Sequence, residues 1–257
     1  PQEDEFALCN LGIPSPYLSV AFPNEPPAYP EYLDLEGVPP KALARWKQAL
    51  LRFMQQITWR TPKRIVLKSP PHTARIKVLL ELFPDARFVY LVRNPYKVFP
   101  STVHLWQSLE RVHAFQKPTF AGLEEYVLET FERMHRTYEA TKHLIPTENL
   151  VELRYEELVK DPIRHLETIY DKLQLGSFES VRTAAEKYLA SQQNYQMNRY
   201  ELSPAMRETI SRRWRDYIER HGYDSKDSGA AFVADKSPVS DAPGQPPQDE
   251  IIVSHRW

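Results

Sequence analysis

"FVYLVRNPYKVFPST", residues 88–102, decides the fold class. Phe88 to Val92 form an apolar run of strand length, and the run ends abruptly on Arg93. Asn94 suits a helix N-cap and Pro95 suits the first helical position, so the stretch predicts a strand passing directly into a helix that reaches about Ser108. Arg93 would then leave a strand end beside the backbone N–H groups of Asn94 to Tyr96. Anions bind where such donors converge, and a guanidinium fork suits phosphate. Ser101, eight residues after Arg93, could add a hydroxyl from two turns into the helix. Taken alone, Arg93 reads equally well as a structural arginine paired with a carboxylate.

Outward from this stretch, strands and helices alternate. "RIVL" (64–67) and "LVELR" (150–154) read as further strands. A helix opens at Pro39–Pro40, with Leu43, Trp46, Leu50, Phe53 and Ile57 on one apolar face. Others are expected over 74–82, 122–143, 161–173, 178–191 and 204–221. Residues 1–38 read as an irregular surface segment, and the acidic cluster Glu3, Asp4, Glu5 as a solvated turn. From residue 224 to 257 the composition shifts to Ser, Asp, Pro and Gly, which predicts a disordered tail after a domain spanning 1–223. The pattern is that of an α/β domain with a mostly parallel sheet flanked by helices. Ligands of such sheets bind beyond the carboxyl ends of the strands, where Lys68, Arg93 and Tyr155 fall.

Bulk properties exclude several classes. Lys and Arg total 33 against 34 Asp and Glu, a net charge of −1 over 257 residues. No global basic field argues for nucleic acid or an anionic membrane as partner. No apolar run approaches the ~20 residues of a bilayer span. The single cysteine, Cys9, rules out a disulfide framework and a cysteine metal cage. No signal peptide is visible, so a cytoplasmic setting is the default expectation. G-x-x-x-x-G-K-[ST], G-x-G-x-x-G and H-E-x-x-H do not occur.

"LKSPPHTAR" (67–75) strengthens the anion-site reading of Arg93. Lys68 leaves a strand end, Ser69 offers a hydroxyl, and two prolines stiffen the turn. His72 is expected at the start of the next helix, where the dipole disfavours imidazolium and favours the neutral ring a general base needs. A plain helix cap is the alternative for His72.

"LKSPPHTARI", "LFPDARFVYLVRNPYKVFPST" and "YEELVKDP" together resemble the sulfotransferase family that uses 3′-phosphoadenosine 5′-phosphosulfate, from about residue 1 to 223. The resemblance implies a P-loop-NTPase-like parallel sheet flanked by helices. It maps the family's 3′-phosphate motif onto Arg93 and Ser101, the adenine-facing tyrosine onto Tyr155, and the lysine and histidine of its KTH-type segment onto Lys68 and His72. Asn198 or Arg199 of "NYQMNRYEL" would close over the nucleotide, with Ser69 a further cofactor contact. The implied reaction is sulfonate transfer from that donor to a hydroxyl or amine of a small-molecule or carbohydrate acceptor, with no obligatory metal. Glu3, Asp4 or Glu5 is an alternative base, since carboxylates serve in some branches. One departure is large. The family opens with a strand and a PKSGTT-like loop that holds the 5′-phosphosulfate, and nothing like it occurs among these residues, which include only 7 glycines. With proline at position 1, the expectation is a fragment lacking that first strand and loop; the alternative to an active enzyme is an inactive domain that at most binds adenosine 3′,5′-bisphosphate.

Overall fold

A computed structural model describes residues 3–192 and 200–224. Helices α1 (Asp4–Asn10), α2 (Pro40–Arg60) and α3 (Ile76–Leu82) precede strand β1 (Phe88–Val92). Helices α4 (Pro95–His113) and α5 (Leu123–Thr141) lead to strand β2 (Leu150–Arg154). Then follow α6 (Tyr155–Leu158), α7 (Pro162–Lys172), α8 (Glu179–Ser191), α9 (Pro204–Arg213) and α10 (Arg215–Arg220). The residues expected to form a tail, 225–257, lie outside the described residues, as do Asn198 and Arg199.

The two strands pair in parallel, with Phe88 opposite Leu150 and Val92 opposite Arg154. Parallel neighbours need a crossover, and α4 and α5 supply it. The register brings Arg93 and Tyr155, each the residue after its strand, to the same end of the sheet. Asn94 caps α4 as its sequence predicts: its side-chain oxygen accepts from the Tyr96 N–H at 2.9 Å. The apolar faces of α4, α5, α9 and α10 enclose one core around Phe99, Trp106, Val127, Leu128, Ile210 and Trp214. A second core lies under α2, where Trp46 and Leu50 are buried as the helical spacing predicts.

Three expectations change. Arg64 to Leu67 form no strand: β1 and β2 pair only with each other among the described residues, so this stretch has no ladder partner, and Val66 stays 82% exposed. Within the expected surface segment, the described residues 3–38 supply part of the core. Leu8, Ile13, Tyr32, Leu35 and Val38 complete the second core, and α1 begins at Asp4. The helix expected over 204–221 breaks at Trp214. That indole is buried, stacks on Phe131 at 3.9 Å and donates from Nε1 to the Leu128 carbonyl at 3.3 Å. Tertiary packing thus overrides helical continuity at this residue.

Candidate active site

The acidic residues at the start of α1 lie against the 68–75 segment, pair by pair. Glu3 forms an ion pair with Lys68 and accepts from the Tyr17 hydroxyl at 2.8 Å. Asp4 lies 2.8 Å from Nε2 of His72 and accepts from Ser69 Oγ at 3.0 Å. Glu5 takes the Arg75 guanidinium at 2.5 and 3.2 Å and accepts from Ser15 Oγ at 2.5 Å. Ser69 Oγ also accepts from the Glu5 backbone N–H at 3.3 Å, which closes the network. Arg75 donates further to the Tyr32 carbonyl and packs over the Trp46 ring at 5.1 Å.

The burial of this network corrects the reading of the acidic run as a solvated turn. Asp4 is 4% exposed, Glu5 and Arg75 are 0%. Charges buried so deeply persist only when paired, and each of these is. Burial alone would raise the Asp4 pKa, but the hydrogen bond and charge of His72, with the Ser69 hydroxyl, bring it below the ordinary carboxylate value. Burial, and then the Glu3 charge, push the Tyr17 phenol well up.

His72 sits in a 3₁₀ turn, Pro70–Ala74, ahead of α3 rather than at its first residue. Its neighbour is therefore a carboxylate and not a helix dipole. Its second ring nitrogen, Nδ1, is buried and has no hydrogen-bond partner among the described residues. Pro70 and Pro71 of the same turn, with Trp106, Tyr126, Phe131 and Trp214, help line an apolar cavity of about 50 Å³, whose lining does not include His72 itself.

The second group of expected residues gathers at the carboxyl ends of the strands. The Arg93 guanidinium lies over the Tyr155 ring, 4.5 Å from its centre. The Tyr217 hydroxyl fixes the Arg93 backbone, donating to its carbonyl and accepting from its N–H, both at 2.9 Å. The backbone donors expected to be open at this helix start are engaged: the Asn94 N–H meets Glu156 Oε1 at 2.8 Å, and the Tyr96 N–H meets the cap. Partly buried amides are satisfied wherever a partner is in reach. These backbone donors are therefore not open to an anion, which leaves side chains as the candidates. Ser101 lies two turns into α4, downstream of Arg93.

Three contributors escaped sequence reading: Arg75, Tyr17 and Tyr217. For Arg75 a signal existed, because positions 68, 72 and 75 step by four and three, opposite three consecutive acidic residues. For Tyr217, 124 residues from Arg93, no local signal existed.

A sequence model of the sulfotransferase family matches residues 19–180. The chain belongs to the sulfotransferase family. It is 47% identical over 224 residues to the omega-hydroxy-beta-dihydromenaquinone-9 sulfotransferases Stf3 of Mycobacterium bovis and of Mycobacterium tuberculosis. The match covers 87% of this chain and 58% of each relative, so the chain spans less than two thirds of their length. The crystal structure of sulfotransferase STF9 from Mycobacterium avium superposes with a TM-score of 0.59 at 21% identity, over 71% of this chain and 48% of that one. That likeness supports the α/β, P-loop-like sulfotransferase fold for this family member.

Proposed function

We propose that residues 1–223 are a sulfotransferase domain that uses 3′-phosphoadenosine 5′-phosphosulfate and delivers the sulfonate to the hydroxyl of an apolar acceptor. The observation that carries this reading is the Asp4–His72 pair, at 2.8 Å, with His72 in the same turn as Pro70 and Pro71, which help line the apolar cavity. With Asp4 accepting from Nε2–H, the neutral ring keeps its lone pair on Nδ1, the nitrogen without a partner. Nδ1 takes the proton of the acceptor hydroxyl as its oxygen bonds to sulfur. The bond from sulfur to the bridging oxygen of the 5′-phosphate breaks, and adenosine 3′,5′-bisphosphate leaves with the electron pair. Lys68 exchanges Glu3 for the anionic donor and offsets the charge that develops on the leaving oxygen. Arg93 and Ser101 hold the 3′-phosphate, and Tyr155 carries the adenine.

Catalysis of this kind rests on positioning and charge rather than on covalent intermediates. A cavity of about 50 Å³ is small, so it takes only the reacting end of an acceptor. The names of the Stf3 relatives, which act on a hydroxylated menaquinone derivative, favour a lipid-like alcohol. A carbohydrate finds little support in so apolar a lining.

The test is transfer of labelled sulfonate from the donor to a long-chain alcohol. It is run with the chain as it stands and with a version joined to a PKSGTT-type strand and loop. In the joined version, His72→Ala should lower turnover by ~10²–10⁴-fold while leaving the affinity for adenosine 3′,5′-bisphosphate within a few-fold. Turnover preserved within a few-fold would remove His72 from the chemistry. A chain that binds the bisphosphate but never transfers, in either form, would identify a nucleotide-binding domain instead.

A further inference from the structure

A second cluster lies apart from the carboxylate network, between α5 and the residue that ends α10. His135 and Glu139 stand four residues apart on one face of α5, and His221 follows α10. One ligand-type atom from each of the three lies within 4.8 Å of the others. The two imidazole rings are 5.9 Å apart, centre to centre, and inclined at 64°. Nδ1 of His135 and Nε2 of His221 are both buried, and neither has a hydrogen-bond partner among the described residues. A buried polar atom without a partner costs free energy unless something satisfies it. Here two such atoms belong to the commonest metal-ligating side chain.

We propose that His135, Glu139 and His221 form a site for a divalent transition-metal ion of the zinc type, which clamps α5 to the end of α10. Two imidazoles and one carboxylate select zinc, cobalt, nickel or copper over magnesium or calcium, which prefer all-oxygen shells. Three protein ligands leave the fourth tetrahedral position to water. Ligand atoms around zinc stand about 3.3 Å apart for bonds near 2.0–2.1 Å, so closing onto an ion needs only side-chain contraction.

Glu139 is already paired, with Lys142 at 3.1 Å and Arg220 at 3.3 Å. Neither pairing blocks the ion. Lys142 keeps a second partner in Glu152 at 3.2 Å, and Arg220 is half exposed and turns to solvent. The consequence reaches the candidate active site through Tyr217. Its ring lies 4.9 Å from that of His135 and 4.6 Å from that of His221, and its hydroxyl holds the Arg93 backbone from both sides. An ion at this site would restrain the side chain that positions Arg93, without touching the reacting atoms.

The experiment is a titration of the metal-free 257-residue chain with Co²⁺, read by its visible absorption, then competition with Zn²⁺. One equivalent should bind with the intense bands of a four-coordinate site and be displaced by zinc. His221→Ala and His135→Ala should each abolish that equivalent, while His143→Ala, outside the cluster, should retain it. Glu139→Gln conserves shape and both histidines. It should weaken binding at least tenfold with the fold intact, which keeps the test decisive if an alanine variant fails to fold. Zinc should also slow amide hydrogen exchange in α10 of the unmodified chain. Absence of a stoichiometric equivalent, or an equivalent that survives both Glu139→Gln and His221→Ala, would overturn the site. Unchanged exchange in α10 would overturn the clamp.

Discussion

Asp4 is a buried carboxylate whose charge is tied to the stability of the fold. Its folded pKa lies below its ordinary value of 3.8, so the ionised form stabilises the fold. That contribution is complete above the ordinary value and disappears as the pH falls through the lower folded value. Thermal melting from pH 6 to pH 2.5 should therefore show the gap between the wild type and Asp4→Asn narrowing below pH 3.8; a gap constant with pH would mean that His72 and Ser69 do not favour the charged form. Arg93 tests the other half of the site. On the proposed reading, Arg93→Ala would remove a charge-assisted contact worth about 1.5–3 kcal/mol, and should weaken adenosine 3′,5′-bisphosphate by roughly ten- to a hundred-fold in calorimetry. Unchanged affinity in a folded variant would reassign Arg93 to packing on Tyr155 alone. Its position at a strand end was legible because an apolar run, an N-cap and a proline are local signals. Its partner Tyr217 was not, because a contact across 124 residues leaves no trace in local pattern.

At the scale of elements, α1 is held to the 68–75 segment by charge as much as by apolar contact. Its seven residues are too few to be stable alone, and no side chain caps its first turn. The Glu5–Arg75 pair is fully buried. Glu5→Ala would leave the Arg75 guanidinium in the interior without its counter-charge, at a cost of about 3–5 kcal/mol. Urea unfolding of Glu5→Ala, Arg75→Met and the double variant measures this. The double variant should be more stable than Glu5→Ala, since replacing both charges removes the orphan; strictly additive losses would show that the two do not act as a pair. The acidic run looked solvated because three consecutive carboxylates usually are. What distinguishes this run is the matching series Lys68, His72 and Arg75, 65 to 70 residues away, which only the fold brings alongside.

Across the whole molecule, the sheet is the exposed part. Its described portion has two strands, and Val89 and Leu91, on one face of β1, are 45% and 38% exposed. Alternation puts residues 89 and 91 on the same side of the strand. An apolar face and open strand edges of this kind recruit other chains. Residues 1–257, expressed alone, should associate in light scattering, and Val89→Thr with Leu91→Lys should shift the population towards monomer with little change in melting temperature. A wild-type chain that stays monomeric at high concentration would refute this.

The sequence by itself determined the class of the fold, the strand-to-helix turn at Arg93, most helix positions and the family, because each rests on periodicity, capping chemistry or contiguous motifs. Only the tertiary structure decided that Arg64 to Leu67 join no strand ladder among the described residues, that Trp214 breaks a helix, and that Glu3, Asp4 and Glu5 meet Lys68, His72 and Arg75. The reason is physical. Propensity acts within a few residues, whereas a ladder, a stacked indole and a buried ion pair each need a partner that chain topology alone brings into reach.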